Sequence, residues 1–219
     1  MIFPNTEIFS DSKKTESSTD GEKIFVKDFG KISLSETHFS GRHNAMNLLS
    51  VLLVLREMNL DFEKIAPILW EISGLPHRLE LIDEIHGIKI VEDSKSTSAQ
   101  SLAAALHSHG NSKNMLLIAG GSDKGDDFSE LGSLFARRVK KIACIGATKK
   151  LFSDLAKQNN IEFLETDSLS DATNWLFDFW EKDDVLMLSP GCASFGLFRD
   201  YLDRANQFRL AVANLKNGQ

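Results

Sequence analysis

Residues 115–146 read MLLIAGGSDKGDDFSELGSLFARRVKKIACIG, and this stretch decides the fold class. It opens with the apolar run MLLIAG at 115–120 and closes with KIACIG at 141–146, and each run ends in glycine. Between them, apolar residues recur at helical spacing over 128–138. Short apolar strands separated by amphipathic helices are typical of parallel βαβ units. The stretch therefore predicts a strand, a crossover helix and a second, parallel strand.

The same alternation continues on both sides of this unit. Apolar patterns predict helices at 98–108, 148–158 and 169–181, strands at 161–165 and 185–189, and a last helix from about 194. Upstream, LELIDE and IKIVED flank His86-Gly87, which predicts a hairpin with a two-residue turn. We therefore expect residues 76–219 to form a Rossmann-like, doubly wound, mostly parallel α/β sheet.

Residues 1–75 follow a different pattern. Residues 9–23 are dense in Ser, Thr, Asp, Lys and Gly, which predicts a loop or mobile segment. Short strands are expected at 24–28 and 31–35, a buried helix from Asn44, and a second helix capped by Asp61 that runs to about Ile72 before Gly74-Leu75-Pro76. With two helices and little sheet, this block is interpreted as the mostly helical end of a domain.

Composition excludes several classes of protein. Of the 219 residues, 42% are hydrophobic and 26% charged, which is typical of a globular protein. The net charge of −6 disfavours a general nucleic-acid surface, and no apolar run is long enough to cross a membrane. The amino-terminal stretch lacks the apolar core of a signal peptide, and the two cysteines have no metal-ligand spacing. A cytoplasmic protein is expected.

Ligands of doubly wound sheets bind at the carboxyl ends of the strands. That rule selects the loops 93–97, 120–127, 146–148 and 189–194. The first of them begins DSKSTS, with Asp93, Lys95 and Thr97 directly before a helix. These residues either cap the helix and carry solvated charges, or form a cradle for a phosphate or carboxylate.

Two of the other loops also carry groups that could bind an anion. In GGSDKGDDF, the glycines permit close approach of a ligand to the backbone and Lys124 adds a compact charge; the alternative is a plain glycine-rich turn. The P-loop spacing is absent from the sequence, so a carboxylate is the expected ligand. In LSPGCASFG, Ser194 offers a hydroxyl, and Cys192 is interpreted as a buried structural thiol because no histidine lies near it.

Two further positions precede the α/β segment. Asn44 and Asn47 lie three residues apart at the start of the apolar helix, so their amides share one face. Capping could explain Asn44 but not Asn47. Arg78, which follows His77, is either a bidentate phosphate clamp or a surface charge.

The motifs GRHNAMN, GLPHRLE, VEDSKSTS, LIAGGSDKGDDF and LSPGCASFGLFRDYLDRANQF, in this order and spacing, resemble the Mur ligases, within them the D-glutamate-adding type. The resemblance covers nearly all of residues 41–208. It implies that residues 1–75 are the end of a central ATPase domain and that residues 76–219 are the C-terminal, amino-acid-binding α/β domain.

The resemblance also implies the roles of individual residues. ATP would be held by Asn44, Asn47, Arg78 and Asp93, with Lys95 as the catalytic residue facing the phosphates. D-glutamate would be surrounded by Thr97, Lys124, Ser194 and Tyr201. The sequence departs from the family at Ser98 (usually Asn), Gly191 (commonly Ala), Tyr201 (commonly Phe) and Ala205 (frequently Gly), and none of these changes removes a charged group.

The implied activity is ATP-dependent addition of D-glutamate to UDP-N-acetylmuramoyl-L-alanine in peptidoglycan synthesis. The P-loop and the Mg²⁺ ligands would come from an N-terminal half that this sequence does not contain, so the chain alone is expected to be inactive. The alternative is a stand-alone module that binds D-glutamate or a nucleotide without catalysis. A redox Rossmann protein is disfavoured, because no GxGxxG follows a first strand.

Overall fold

The computed structural model describes residues 17–27, 29–37, 39, 42–72, 74–108 and 112–217. The chain divides into two compact units, Met1–Gly74 and Leu75–Gln219. Residues 9–16 of the loop predicted from the sequence, and Gly41 of the GRHNAMN motif, lie outside the described residues.

The first unit contains a small antiparallel sheet and two helices. Its strands are β1 (Ser17–Thr19), β2 (Lys23–Val26) and β3 (Gly30–Ser33), followed by a 3₁₀ turn and the helices α1 (Arg42–Glu57) and α2 (Phe62–Glu71). Both predicted helices are confirmed, and the Asp61 side chain caps α2 by accepting from the Glu63 amide at 3.1 Å. The prediction of a loop over 9–23 was wrong for Ser17–Thr19, which pair with β2.

The second unit is built on a six-stranded sheet in the order β4-β5-β9-β6-β7-β8. Its strands are β4 (Glu80–Ile85), β5 (Ile88–Glu92), β6 (Met115–Gly120), β7 (Val139–Ile145), β8 (Glu162–Glu165) and β9 (Val185–Leu188). Only the edge strand β4 is antiparallel to its neighbour, and β5, β9, β6, β7 and β8 run parallel. The doubly wound fold class is confirmed.

The hairpin between β4 and β5 turns at the two predicted residues. His86 and Gly87 both have positive φ, +54° and +84°, which is the backbone that a type I′ turn requires. Glycine adopts this region freely, whereas His86 accepts a modest strain. The two-residue turn places Ile85 opposite Ile88, so the edge strand β4 pairs with β5 of the sheet.

Helices cover both faces of this sheet. The helices α3 (Ala99–Ser108), α4 (Leu131–Arg138) and α5 (Lys149–Gln158) pack on one face, and α6 (Leu169–Phe177) and α7 (Tyr201–Asn217) pack on the other. All six residues of β6 are buried, because alternate side chains enter the two cores: Leu117 faces α3 to α5, and Leu116 faces α6 and α7. A central parallel strand is apolar along its whole length for this reason.

The start of the last helix differs most from its prediction. The sequence predicts a helix from about 194, but α7 begins at Tyr201. Gly196 has φ +96°, which ends any regular helix there, and the Asp200 carboxylate accepts from the Asp203 amide at 2.8 Å as an N-terminal cap. Likewise α4 begins at Leu131 rather than 128, so the preceding loop is longer than expected.

Two consecutive glycines at the end of β6 fit only without side chains. Gly120 has φ +115°, and a Cβ there would collide with the carbonyl oxygen of Ile145; a Cβ on Gly121 would collide with the carbonyl oxygen of Ala193. The strand can therefore enter the following loop in close backbone contact with the end of β7 and with the loop after β9 only because both residues are glycine.

We predict that Gly120→Ala lowers the free energy of unfolding of this unit by roughly 2–4 kcal/mol, because it combines a left-handed backbone with a collision. The matched control is Gly132→Ala, whose added Cβ meets only Leu155 Cδ1 at 3.7 Å inside α4. The free energy of unfolding of that variant should rise by about 0.4–1 kcal/mol. Urea unfolding followed by tryptophan fluorescence measures both changes, and equal stability of the two variants would contradict the packing described.

Candidate active site

The chain reverses its winding direction around β9, and doubly wound sheets form a ligand-binding crevice at such a point. After β5 and β6 the chain crosses to the face that carries α3 and α4, whereas after β9 it crosses to the face that carries α7. Because β9 lies between β5 and β6, the loops that follow these three strands diverge to opposite faces at one edge. Such a switch point is where doubly wound sheets bind ligands.

Backbone bonds hold the loop after β6 against the loop after β9. The Gly120 amide donates to the Pro190 carbonyl at 2.8 Å, and the Ser122 amide donates to the Ala193 carbonyl at 2.9 Å. The second bond is part of an isolated antiparallel bridge between Ser122 and Ala193. The structure therefore places the loop that carries Lys124 directly beside the loop that carries Ser194.

A third loop joins this pair through Thr148. Its hydroxyl accepts from the Gly121 amide at 3.0 Å and lies 3.4 Å from Cys192 Sγ, and its amide donates to the Gly121 carbonyl at 3.1 Å. Burial raises the pKa of the Cys192 thiol. The position of Cys192 between loops, in its thiol form, agrees with the structural role expected from the sequence.

A buried arginine connects the loop after β9 with the loop after β5. Arg204, in the first turn of α7, has no exposed surface. Its Nη1 donates to the Cys192 carbonyl at 3.0 Å and its Nη2 donates to the Ser94 carbonyl at 2.7 Å. Burial lowers the pKa of Arg204 to about 10, which leaves the guanidinium charged at neutral pH.

Beside this arginine lies a network centred on the fully buried Glu92. Its Oε1 accepts from the Ser94 amide at 2.6 Å, and its Oε2 lies 2.6 Å from His77 Nδ1 and 3.1 Å from Arg209 Nη2. Arg209 also donates to Glu80 at 2.7 Å. This network joins the segment before β4, the end of β5 and helix α7.

Ligand atoms of His77, Glu80 and Glu92 lie within 4.8 Å of one another, a spacing that could hold a metal ion. The guanidinium of Arg209 already pairs with both carboxylates, at 2.7 and 3.1 Å. A divalent cation would have to displace it. Mg²⁺ also prefers an all-oxygen octahedral shell, which a site that includes histidine does not supply. These residues therefore do not fit Mg²⁺.

Lys95 extends from the loop after β5 and lies against Tyr201. Its Nζ donates to the Tyr201 hydroxyl at 3.3 Å and lies 4.7 Å from the centroid of the Tyr201 ring. Tyr201 is the first residue of α7 and directly follows Asp200, which caps this helix. These two predicted site residues are thus in direct contact.

Asp93 follows Glu92 at the end of β5 and is 5% exposed. Its Oδ2 accepts from the Ser189 hydroxyl at 2.7 Å and its Oδ1 accepts from the Leu79 amide at 3.2 Å. Burial raises the pKa of this carboxyl to about 7, against the hydrogen bond from Ser189, which lowers it. Asp93 therefore ties the loop after β5 to the loop after β9 through a side chain that titrates near neutrality.

The remaining predicted residues differ in their exposure. Lys124 and Arg78 are exposed, Thr97 is half-buried and Ser194 is buried. Ser194 stands seven residues before α7 rather than at its start, and its carbonyl accepts from the Phe198 amide at 3.1 Å. Within the second unit, bonds between loops bring together the segments that carry Asp93, Lys95, Thr97, Lys124, Ser194 and Tyr201.

Asn44 and Asn47 lie in the first unit, within the first two turns of α1. Asn44 is half-buried and Asn47 is exposed. Their role in nucleotide binding stays a prediction.

Sequence reasoning assigned no role to Glu92, Arg204, Arg209 or His77, which connect these loops. Glu92 offered one signal, because it is a carboxylate at the end of a strand whose neighbours Ile90 and Val91 are both apolar. Arg204 offered another, since it lies four residues before Phe208 on one helix face. Without the tertiary structure, neither signal shows whether the charged side chain is buried and connects loops or is exposed to solvent.

Comparison with known proteins gives the family. A family model described as "Mur ligase, glutamate ligase domain" matches residues 77–192, more than half of the chain. A UDP-N-acetylmuramoylalanine--D-glutamate ligase of Nitrosomonas europaea is 36% identical over 181 residues, which are 83% of this chain and 38% of that protein. A ligase of the same name from Cupriavidus pinatubonensis is 32% identical over 218 residues, 98% of this chain and 43% of that protein.

The fold agrees with this result. A crystal structure of the UDP-N-acetylmuramate-alanine ligase MurC from Thermotoga maritima superposes with a TM-score of 0.66 at 14% identity, covering 95% of this chain and 47% of that one. The chain therefore belongs to the Mur ligase family, as the sequence resemblance indicated. It spans about two fifths of the length of the curated relatives described above.

Across the described ranges, every helix is too short or too polar to span a lipid bilayer.

The raised pKa of Asp93 predicts a specific pH dependence of stability. Between the ordinary carboxyl pKa of 3.8 and about 7, the folded chain keeps a proton that the unfolded chain has released, so stability falls as pH rises through this range. Asp93→Asn removes this titration. We predict that the melting temperature of the variant, relative to the parent, rises from about pH 4 to about pH 7 and then levels off. A difference that is constant with pH would contradict the buried, protonated carboxyl.

Proposed function

We propose that this chain is the amino-acid-binding portion of an ATP-dependent ligase that adds D-glutamate to UDP-N-acetylmuramoyl-L-alanine. The observation that carries the proposal is the joining of three loops at the switch point, which gathers Lys95, Lys124, Thr97 and Ser194 at one sheet edge. The names of the relatives supply the substrates. The reaction is proposed to take place in the cytoplasm, which agrees with two cysteines that are buried and free.

The chemistry of these groups suits D-glutamate. The substrate has two carboxylates, and it needs cationic or hydroxyl-rich contacts at both ends. Lys124 and Thr97 are proposed to hold one carboxylate, and Ser194 with the backbone near Tyr201 is proposed to hold the other. The bridge between Ser122 and Ala193 supports this division, because it fixes the spacing of the loops that carry the two sets.

ATP is proposed to lie against Lys95, on the side away from the proposed D-glutamate contacts. Arg78 and Asp93 are proposed to contact the nucleotide, and Asn44 and Asn47 are proposed to bind it as well. Asp93 and the segment that carries Arg78 are already linked, since the Leu79 amide donates to the Asp93 carboxyl. Neither the P-loop spacing nor a fitting Mg²⁺ site is found in the described residues of this chain. Both are proposed to come from an N-terminal half.

In the proposed reaction, the terminal phosphoryl group of ATP passes to the carboxylate of the UDP-linked precursor, with ADP as the leaving group. The amine of D-glutamate attacks the resulting acyl phosphate, and the tetrahedral intermediate expels phosphate and loses the amine proton to leave an amide. Positioning and neutralisation of negative charge contribute most of the rate acceleration in such transfers. Lys95 would neutralise the phosphate oxygens, while Lys124 and Ser194 orient the amine.

We predict that the 219-residue chain binds D-glutamate more tightly than L-glutamate, and that Lys124→Ala weakens binding roughly tenfold or more by removing a charge-assisted contact. Lys182→Ala is the matched control, since it removes the same charge before β9, at the opposite end of the strands. NMR titration with both enantiomers measures the affinities. Equal binding of the enantiomers, or equal losses in the two variants, would refute the assignment.

A further inference from the structure

Lys95 has an exposed side chain, yet it makes two contacts with a single residue. Its ammonium donates to the Tyr201 hydroxyl at 3.3 Å, and the same nitrogen lies 4.7 Å from the ring centroid. A flexible four-carbon side chain loses rotamer entropy when it is fixed. A lysine that is already held in place loses less side-chain entropy when its ligand binds.

The tyrosine ring is itself supported from the core. The His77 ring meets it edge-on with centroids 5.9 Å apart, and His77 Nδ1 lies 2.6 Å from an oxygen of the fully buried Glu92. The backbone carbonyl of His77 also accepts from the Lys95 amide at 3.1 Å. A continuous set of contacts therefore runs from a buried carboxylate through His77 and Tyr201 to the exposed ammonium.

The Tyr201 hydroxyl gives the ammonium a partner that the aromatic ring alone does not offer. A phenylalanine ring could attract the ammonium only through its π face. The tyrosine adds a hydrogen-bond acceptor. Because an ammonium has three donors, a bond to Tyr201 leaves two for an anionic ligand.

We infer that Tyr201 is a positioning residue for Lys95: its hydroxyl and ring hold the ammonium at the crevice, oriented by His77, with two donors facing the phosphate side. The inference rests on the proposed function in that Lys95 faces phosphate. It adds a role for Tyr201 beyond contact with the amino acid, and it makes the hydroxyl the group that pre-organises the charge.

The test follows the Lys95 side chain in the ligand-free 219-residue chain with ¹³C-labelled lysine, where Lys95→Arg identifies the signal. In the parent chain, the ring current of Tyr201 should shift the Lys95 ε-CH₂ protons upfield. Tyr201→Leu should abolish this shift, and Tyr201→Phe should reduce it, because the ring stays while the hydroxyl is lost. Lys157 is the internal control, since its Nζ lies 5.2 Å from the Phe163 ring centroid, far along the chain from Tyr201.

His77→Ala should also reduce the Lys95 shift while the Lys157 signal stays unchanged. Titration with inorganic pyrophosphate should show about threefold weaker binding by Tyr201→Phe than by the parent, as expected for a hydrogen bond contributing about 0.5–1 kcal/mol. The inference is overturned if Tyr201→Phe leaves both the Lys95 shift and the pyrophosphate affinity unchanged. It is also overturned if the Tyr201 variants change the chemical shift of the Lys157 ε-CH₂ protons as much as that of Lys95. Failure of D-glutamate to bind would instead count against the proposed function, since the Lys95 shift is measured without ligand.

Discussion

The buried guanidinium of Arg204 is the constraint on which the candidate site depends. It donates to the carbonyls of Ser94 and Cys192, which belong to loops that leave neighbouring strands. A charge with no exposed surface is costly to bury unless it is paired and hydrogen-bonded. The two carbonyls and the nearby Glu92 carboxylate offset part of that cost. The guanidinium therefore ties the two loops together through its hydrogen bonds.

Several features of the crevice follow from this arrangement. The loop after β9 must run close to α3, where a Cβ on Gly191 would approach Leu102 Cδ2 to 2.8 Å, so small residues are required there. Asp93 lies between the loops and accepts a hydrogen bond from Ser189, and its burial there raises the pKa of its carboxyl. The exposed cations Lys95 and Lys124 lie on these hydrogen-bonded loops. Exposed charges on loops that are fixed to one another suit the positioning of anionic substrates.

Much of the α/β unit could be predicted from the sequence. Strand β6 lies at its predicted bounds because a fully buried parallel strand is an unbroken apolar run closed by glycine. The order of the strands follows the rules for doubly wound sheets, so the edge that carries the candidate residues could also be predicted. Lys95 and Tyr201 were both expected at the site from the family resemblance, and the structure brings them into contact.

The rest depends on interactions between distant parts of the chain. The predicted start of α7 was wrong because the apolar spacing continues through Gly196, and a pattern of apolar residues does not reveal the positive φ of that glycine. Arg204 is 110 residues from Ser94, and in an amphipathic helix a single arginine has the same pattern whether it is solvated or buried. The pairing of His77 with Glu92 likewise spans two segments. Such connections follow from tertiary packing, to which local propensity is insensitive.

The most direct test of this account is native-state hydrogen exchange of Arg204→Lys, with Arg137→Lys on the exposed surface of α4 as the control. A single ammonium cannot donate to two separate carbonyls in the fork geometry of a guanidinium. The account predicts that the amides of Gly120 and Ser122, which bond across to the loop after β9, lose protection by about tenfold or more, while the amides of β7 and of β6 before Gly120 keep theirs. Unchanged protection of Gly120 and Ser122 in Arg204→Lys would contradict the claim that this arginine holds the site together.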